Sequence, residues 1–79
     1  MKRTPFMIAL MERNRGLLAL EAIERGWDGA FERLIAKSLK YAVSRGESQA
    51  EVILQAAGGD YMKAAHLITS SEISENAHV

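Results

Sequence analysis

The sequence predicts an all-α fold: a small bundle of four to five short helices, completed as a homodimer. Three observations carry that expectation. Apolar residues recur at helical spacing, and no stretch alternates with period two over a useful length. Capping and breaking residues punctuate the chain at Thr4-Pro5, Asp28, Gly46, Ser48, Gly58-Gly59 and Asp60. The chain has 79 residues and no cysteine, which excludes disulfides and thiolate zinc sites as staples. At this length a single core supplies roughly 3–5 kcal/mol at most. Well-packed helices or a partner subunit are left as the stabilising device. Residues 1–70 read as one helical domain and 71–79 as a polar C-terminal tail.

The first helix is expected from Pro5 to about Arg15, with Thr4 as N-cap and Pro5 at the first helical position. Gly16 either ends it or sits inside one longer helix. Leu17 to Arg25 is helical by composition, with Glu21, Glu24 and Arg25 on one polar arc and Glu21–Arg25 spaced as a favourable i,i+4 pair. Gly26 stops it. Asp28 is the expected cap of the clearest helix, about Gly29 to Arg45. Its apolar residues Phe31, Leu34, Ile35, Leu39, Ala42 and Val43 fall at intervals of 3, 1, 4, 3 and 1, one buried stripe. Gly46 follows as a left-handed C-cap.

Ser48 and Glu51 form a capping-box pattern that opens a helix to Ala57, with Ala50, Ile53, Leu54 and Ala57 facing in. After Gly58-Gly59, Asp60 caps a last helix from Tyr61 to about Thr69, with Tyr61, Ala64, Ala65 and Ile68 inward. The tail beyond either forms one more turn from Ser71 or frays.

The formal net charge is zero, but it is unevenly distributed. Residues 1–45 hold nine Lys/Arg against five Asp/Glu, a net of +4, and residues 46–79 hold the compensating −4. That split suits two surfaces with different partners, or head-to-tail attraction between copies. The longest apolar run, Phe6 to Met11, falls far short of the roughly 20 residues a membrane span needs. Glu12-Arg13-Asn14-Arg15 closes it too soon for a signal peptide, despite Lys2 and Arg3 ahead of it. A cytoplasmic protein that does not engage membranes is expected.

Groups that could carry chemistry are scarce. The sequence has no HExxH, Gly-rich phosphate loop, GxSxG or acidic metal cluster, and its two histidines are His66 and His78. No catalytic residue, metal, cofactor or small-molecule substrate is expected, and His66 reads as a solvent or interface residue. The run Phe6-Met7-Ile8-Ala9-Leu10-Met11 is apolar all round, more than one stripe against a monomer core requires. Leu17-Leu18-Ala19-Leu20 continues the excess.

Phe6, Met7, Leu10, Met11, Leu17 and Leu18 are therefore the candidate protein interface, methionine being well suited to irregular contacts. The competing reading is a central helix enclosed by the others. Arg33, Lys37 and Lys40 recur at spacings of 4 and 3 and are candidate nucleic-acid contacts; the competing reading is an ordinary solvated face. Trp27 is the expected core anchor at a helix junction, with an exposed hot-spot role as the competing reading.

Residues 50–68, Ala-Glu-Val-Ile-Leu-Gln-Ala-Ala-Gly-Gly-Asp-Tyr-Met-Lys-Ala-Ala-His-Leu-Ile, resemble the start of a Fis-type helix-turn-helix. Gly58, Gly59, Asp60, Ala64, Ala65 and Leu67 carry the likeness, with Asp60 standing for asparagine. That resemblance implies DNA binding by the following helix. Here the turn glycine is replaced by Thr69, and the segment Ser71 to Asn76 is acidic. The same stretch is similar to the last two helices of a ubiquitin-associated-type domain, in which Gly-Gly-Asp separates helices two and three; of that family's Met-Gly-Phe loop only Gly46 is matched.

The function expected from all this is a small non-enzymatic regulator, an adaptor, inhibitor or anti-activator, acting by protein–protein binding through an apolar helical surface and by self-association. The alternative is a helix-turn-helix DNA-binding transcriptional regulator.

Overall fold

Local chemistry sets the start of the first helix in the computed structural model, which describes residues 3–77 and the side chains of residues 3–70. Thr4 is extended, and its hydroxyl accepts the Met7 N–H at 3.3 Å. Pro5 begins α1, Pro5–Arg15, without losing a hydrogen bond there. Gly16 and Leu17 then both take right-handed helical angles before α2, Leu18–Arg25. The first apolar stretch is thus two helices joined by two residues.

Gly26, with φ 96°, ends α2, and α3 runs Ala30–Ser44. The cap of α3 differs from expectation: Gly29 is the N-cap residue, at φ 72°, and no side chain caps the helix. The Asp28 carbonyl instead accepts a hydrogen bond from Arg33 Nη1 at 2.7 Å, so a side chain from the first turn of α3 reaches back to close the turn.

The end of α3 follows the expectation. The Glu47 N–H donates to the Ala42 carbonyl at 3.1 Å and the Gly46 N–H to Val43 at 3.0 Å, a Schellman closure that needs the positive φ of Gly46. The same closure recurs after α4, Ser48–Ala56, where Gly59 donates to Leu54. Ser48 is the first helical residue of α4 and Glu47 its N-cap, without a side-chain bond, so the capping box does not form. Asp60 does cap: its Oδ1 accepts the Met62 and Lys63 N–H groups at 2.9 and 3.2 Å. The fifth helix, α5, spans Tyr61–Ala77 and continues through the segment expected to be a polar tail. The side chains of that tail, 71–79, lie outside those described.

The chain is all-helical, with five helices and no strand among the described residues. Helix α3 is the central element and packs against each of the other four. Met7 and Met11 of α1, Ile35 and Leu39 of α3 and Ile68 of α5 are its largest fully buried apolar side chains. Ala64 and Ala65, fully buried on α5, bring that helix close to α3, its most extensive neighbour. Ala50, Ile53 and Ala57 close the core from α4, while Phe6, Phe31, Val43, Tyr61 and Leu67 pack against its edge.

One polar group sits in this interior. Asn14 is buried, and its Nδ2 donates to the Leu10 carbonyl and to Ser38 Oγ, both at 2.8 Å. The Ser38 hydroxyl donates in turn to Asn14 Oδ1 at 3.1 Å. This pair locks α1 onto α3 in one register, because any slip strands a buried amide.

Candidate functional site

Helix α2 is amphipathic, and its two faces are arranged against the usual rule. Its buried residues are Glu21 and Ala22, with Leu18 half-buried beside them. Leu20, Ile23 and, past the end of the helix, Trp27 point the other way, at 63, 78 and 68% exposure, with Leu17 at 47% on their edge. Leu20 and Ile23, three residues apart, share one side of the helix, and Trp27 follows the turn at Gly26. These four side chains leave large apolar groups in solvent around α2.

Glu21 turns inward because α3 offers it charge. Arg33 Nε donates to Glu21 Oε1 at 3.0 Å, and Lys37 Nζ lies 3.9 Å from the other carboxylate oxygen. Arg33 also donates to the carbonyls of Asp28 and Gly26, the latter at 2.8 Å. One guanidinium therefore ties the end of α2, the turn and α3 together. The Arg33 hydrogen bond, joined by the charges of Lys37 and Arg25, holds the Glu21 carboxyl below its ordinary value against the opposing effect of burial. The i,i+4 spacing had pointed to Arg25 as the partner of Glu21; the hydrogen bond goes across to α3 instead.

The candidate interface residues separate in the fold. Met7, Leu10 and Met11 are core residues, and Phe6 and Leu18 are half-buried. Of the six, only Leu17 belongs to the exposed face. Most of the all-round apolar run is consumed by the domain's own interior, leaving Ile8 and Ala9 exposed on α1. Trp27 is exposed and anchors no core, because Gly26 and Gly29, both at positive φ, carry the intervening turn away from the interior.

The basic residues Arg33, Lys37 and Lys40 do not form one free stripe: Arg33 is committed to Glu21 and two carbonyls, Lys37 faces Glu21 while largely exposed, and Lys40 is exposed. Helix α5 runs unbroken through Thr69, the position where a Fis-type motif turns into its DNA-reading helix.

Concavities also lie away from α2. An apolar cleft of about 340 Å³ opens between the start of α1 and α4, against Met7, Val52 and Ile53. A wider groove of about 680 Å³ at the α4–α5 turn carries Glu32, Met62, Lys63 and His66. Among the described residues no group of three or more His, Cys, Asp or Glu could hold a metal ion, and no helix is long and apolar enough to cross a membrane.

No family model, curated protein or solved structure matches the chain. The site therefore stands on its own geometry. Sequence reading missed Leu20, Ile23 and Trp27. Their exposure follows from the pairing of Glu21 with Arg33 and Lys37 and from the turn at Gly26, neither of which a local pattern records.

Proposed function

We propose that this chain is a small non-enzymatic regulator of the cytoplasm that acts by binding protein through the outward face of α2. The observation that carries the reading is the exposure of Leu20 and Ile23 on α2 and of Trp27 just beyond it, while Glu21 of the same helix is buried. Fully burying such a side chain is worth about 1.5–3 kcal/mol each, so the isolated domain forgoes several kcal/mol that contact with a partner recovers. Two aliphatics and an aromatic, with Glu24 and Arg25 beside them in solvent, have the make-up of an interface centre with a polar rim.

The experiment compares two baits in an extract of the organism that encodes the chain. The unmodified protein is expected to retain one protein in stoichiometric amount, and Leu20→Glu/Ile23→Glu, with the same helical circular dichroism, is expected to lose it. Identical recovery by both baits rejects the reading. Retention of nucleic acid instead, weakened by salt and by charge reversal at Lys37 and Lys40, would favour DNA binding.

A further inference from the structure

We propose that the groove between α1 and α3 is a binding site for a small monoanion with an apolar body: a carboxylate carried on a single ring. No residue of α2 lines this groove, so the inference is independent of the protein-binding reading.

A concavity of about 190 Å³ lies between the two helices. They run antiparallel along it. Asn14 is bonded to Ser38 at one end, while Phe6 and Glu47, the latter just past the end of α3, line the other. Leu10 and Ala42, both buried, give it an apolar floor, and Ala9, with only a methyl group, leaves room beside them.

Arg13, in the last turn of α1, and Arg45, the C-cap of α3, line it from opposite ends. Side chains lean toward the N-terminus of their own helix. In an antiparallel pair these two therefore lean toward one another along the groove. Arg45 shows the lean, for its guanidinium carbon is 5.4 Å from the centre of the Tyr41 ring, one turn back. Among the described residues neither arginine forms an ion pair.

Charge and size choose the ligand. Two guanidinium groups against the Glu47 carboxylate leave the lining with one positive charge in excess. Of the other charges on these helices, exposed Glu12 and Lys40 offset one another, Arg33 and Lys37 face Glu21, and Glu32 lines the groove at the α4–α5 turn. Arg3 and Arg15 have interactions of their own. One carboxylate balances the excess, and a guanidinium can hold it through two parallel hydrogen bonds. The apolar floor favours a body over a bare ion. The volume lies below the roughly 300–1,000 Å³ of pockets for drug-sized ligands, which limits that body to one ring.

The probe is phenylacetate, titrated into isotope-labelled protein and followed by two-dimensional amide NMR. Saturable shifts at millimolar ligand are expected, centred on Ala9, Leu10, Arg13, Tyr41 and Ala42. Acetate, which lacks the ring, and benzyl alcohol, which lacks the charge, should each bind about tenfold or more weakly. Arg13→Gln/Arg45→Gln should weaken phenylacetate by a similar factor, about tenfold or more. Ala9→Leu fills the groove from an exposed position and should abolish binding with unchanged helical circular dichroism.

The absence of saturable shifts overturns the proposal, as do shifts centred on α2 or on the α4–α5 turn. Undiminished binding to the double arginine variant or to Ala9→Leu overturns it too. Acetate binding as tightly as phenylacetate would leave only unspecific anion attraction, and tighter binding of the dianion phenyl phosphate would overturn the choice of a monoanion.

Discussion

Helices α1 and α2 lie two residues apart and are both rich in apolar side chains, yet they are held by opposite chemistry. α1 buries Met7, Leu10 and Met11 against α3 and tolerates one polar intrusion, Asn14, because Ser38 satisfies it. α2 meets the same helix α3 through an ion pair and leaves Leu20, Ile23 and Trp27 in solvent. The difference lies in the surface that each helix meets. Leu39, Ile35 and Ala42 of α3 receive α1 within the core cluster, whereas Arg33 and Lys37 receive α2. One helix therefore belongs to the fold, and the other is docked by its charges with its apolar side available.

The largest expected effect tests that division directly. Met11→Ala removes a side chain that is fully buried in the main core, and it should lower the unfolding free energy by about 2–5 kcal/mol. Ile23→Ser, in protein dilute enough to be monomeric, should shift it by no more than about 0.5 kcal/mol. Denaturant titration of both reads the contrast. Equal losses would mean that α2 contributes its apolar side to the core in solution.

The next effect concerns the polar link that α1 makes. Asn14→Ala leaves the partly buried Ser38 hydroxyl without its partner and opens space beside Leu10. A loss of about 1–3 kcal/mol is expected, again by denaturant titration. Recovery of most of that loss in Asn14→Ala/Ser38→Ala would show that the unsatisfied hydroxyl, rather than the lost volume, is what costs stability.

Much of this architecture is legible in the sequence, and the illegible part has a physical cause. Helix α3 shows its buried stripe in the spacing of Leu34, Ile35, Leu39 and Ala42, because a single polar face left no choice of orientation. Asp60 and Gly46 act locally, within one turn of their own residues, and so cap as their sequence neighbours imply. The orientation of α2 depends on residues 12 and 16 positions ahead of Glu21, at Arg33 and Lys37, and no local pattern records that pairing. The same limit applies to Trp27, whose exposure follows from the backbone angles of Gly26 and Gly29 and not from its own hydrophobicity. The apolar excess of residues 6–20 is visible in the sequence; which of its members the fold buries is not, because that is decided by the helix they meet.

The ion pair that orients α2 gives the contrast a pH dependence. Since the Glu21 carboxyl is held below its ordinary value in the fold, the unfolded chain takes up its proton at a higher pH than the folded one. Its contribution to stability is present above the ordinary value and disappears as pH falls through the lowered one. Urea midpoints measured across the acid range should fall for the unmodified protein, and Glu21→Gln should flatten that decline. Exchange of α2 amides with solvent should quicken over the same range, while that of α1 amides changes less, because the Asn14–Ser38 link of α1 to α3 is made by groups that do not titrate there. A decline that is identical in Glu21→Gln would place the sensitivity elsewhere.

The smallest effect lies at the joint between the two helices. Gly16 has φ −66° and ψ −21°, which any residue adopts, and a Cβ added there would meet only the Arg13 carbonyl oxygen, at 3.8 Å. Gly16→Ala should therefore stabilise the protein by about 0.4–1 kcal/mol, chiefly by restricting the unfolded chain. Thermal and denaturant midpoints both read the gain. The variant separates two accounts of the joint. If the bend between α1 and α2 is set by where their faces are anchored on α3, alanine fits at position 16 and the Glu21–Arg33 bond survives. If glycine is needed because α2 swings, alanine costs stability and loosens that bond first, and the pH dependence assigned to Glu21 weakens with it.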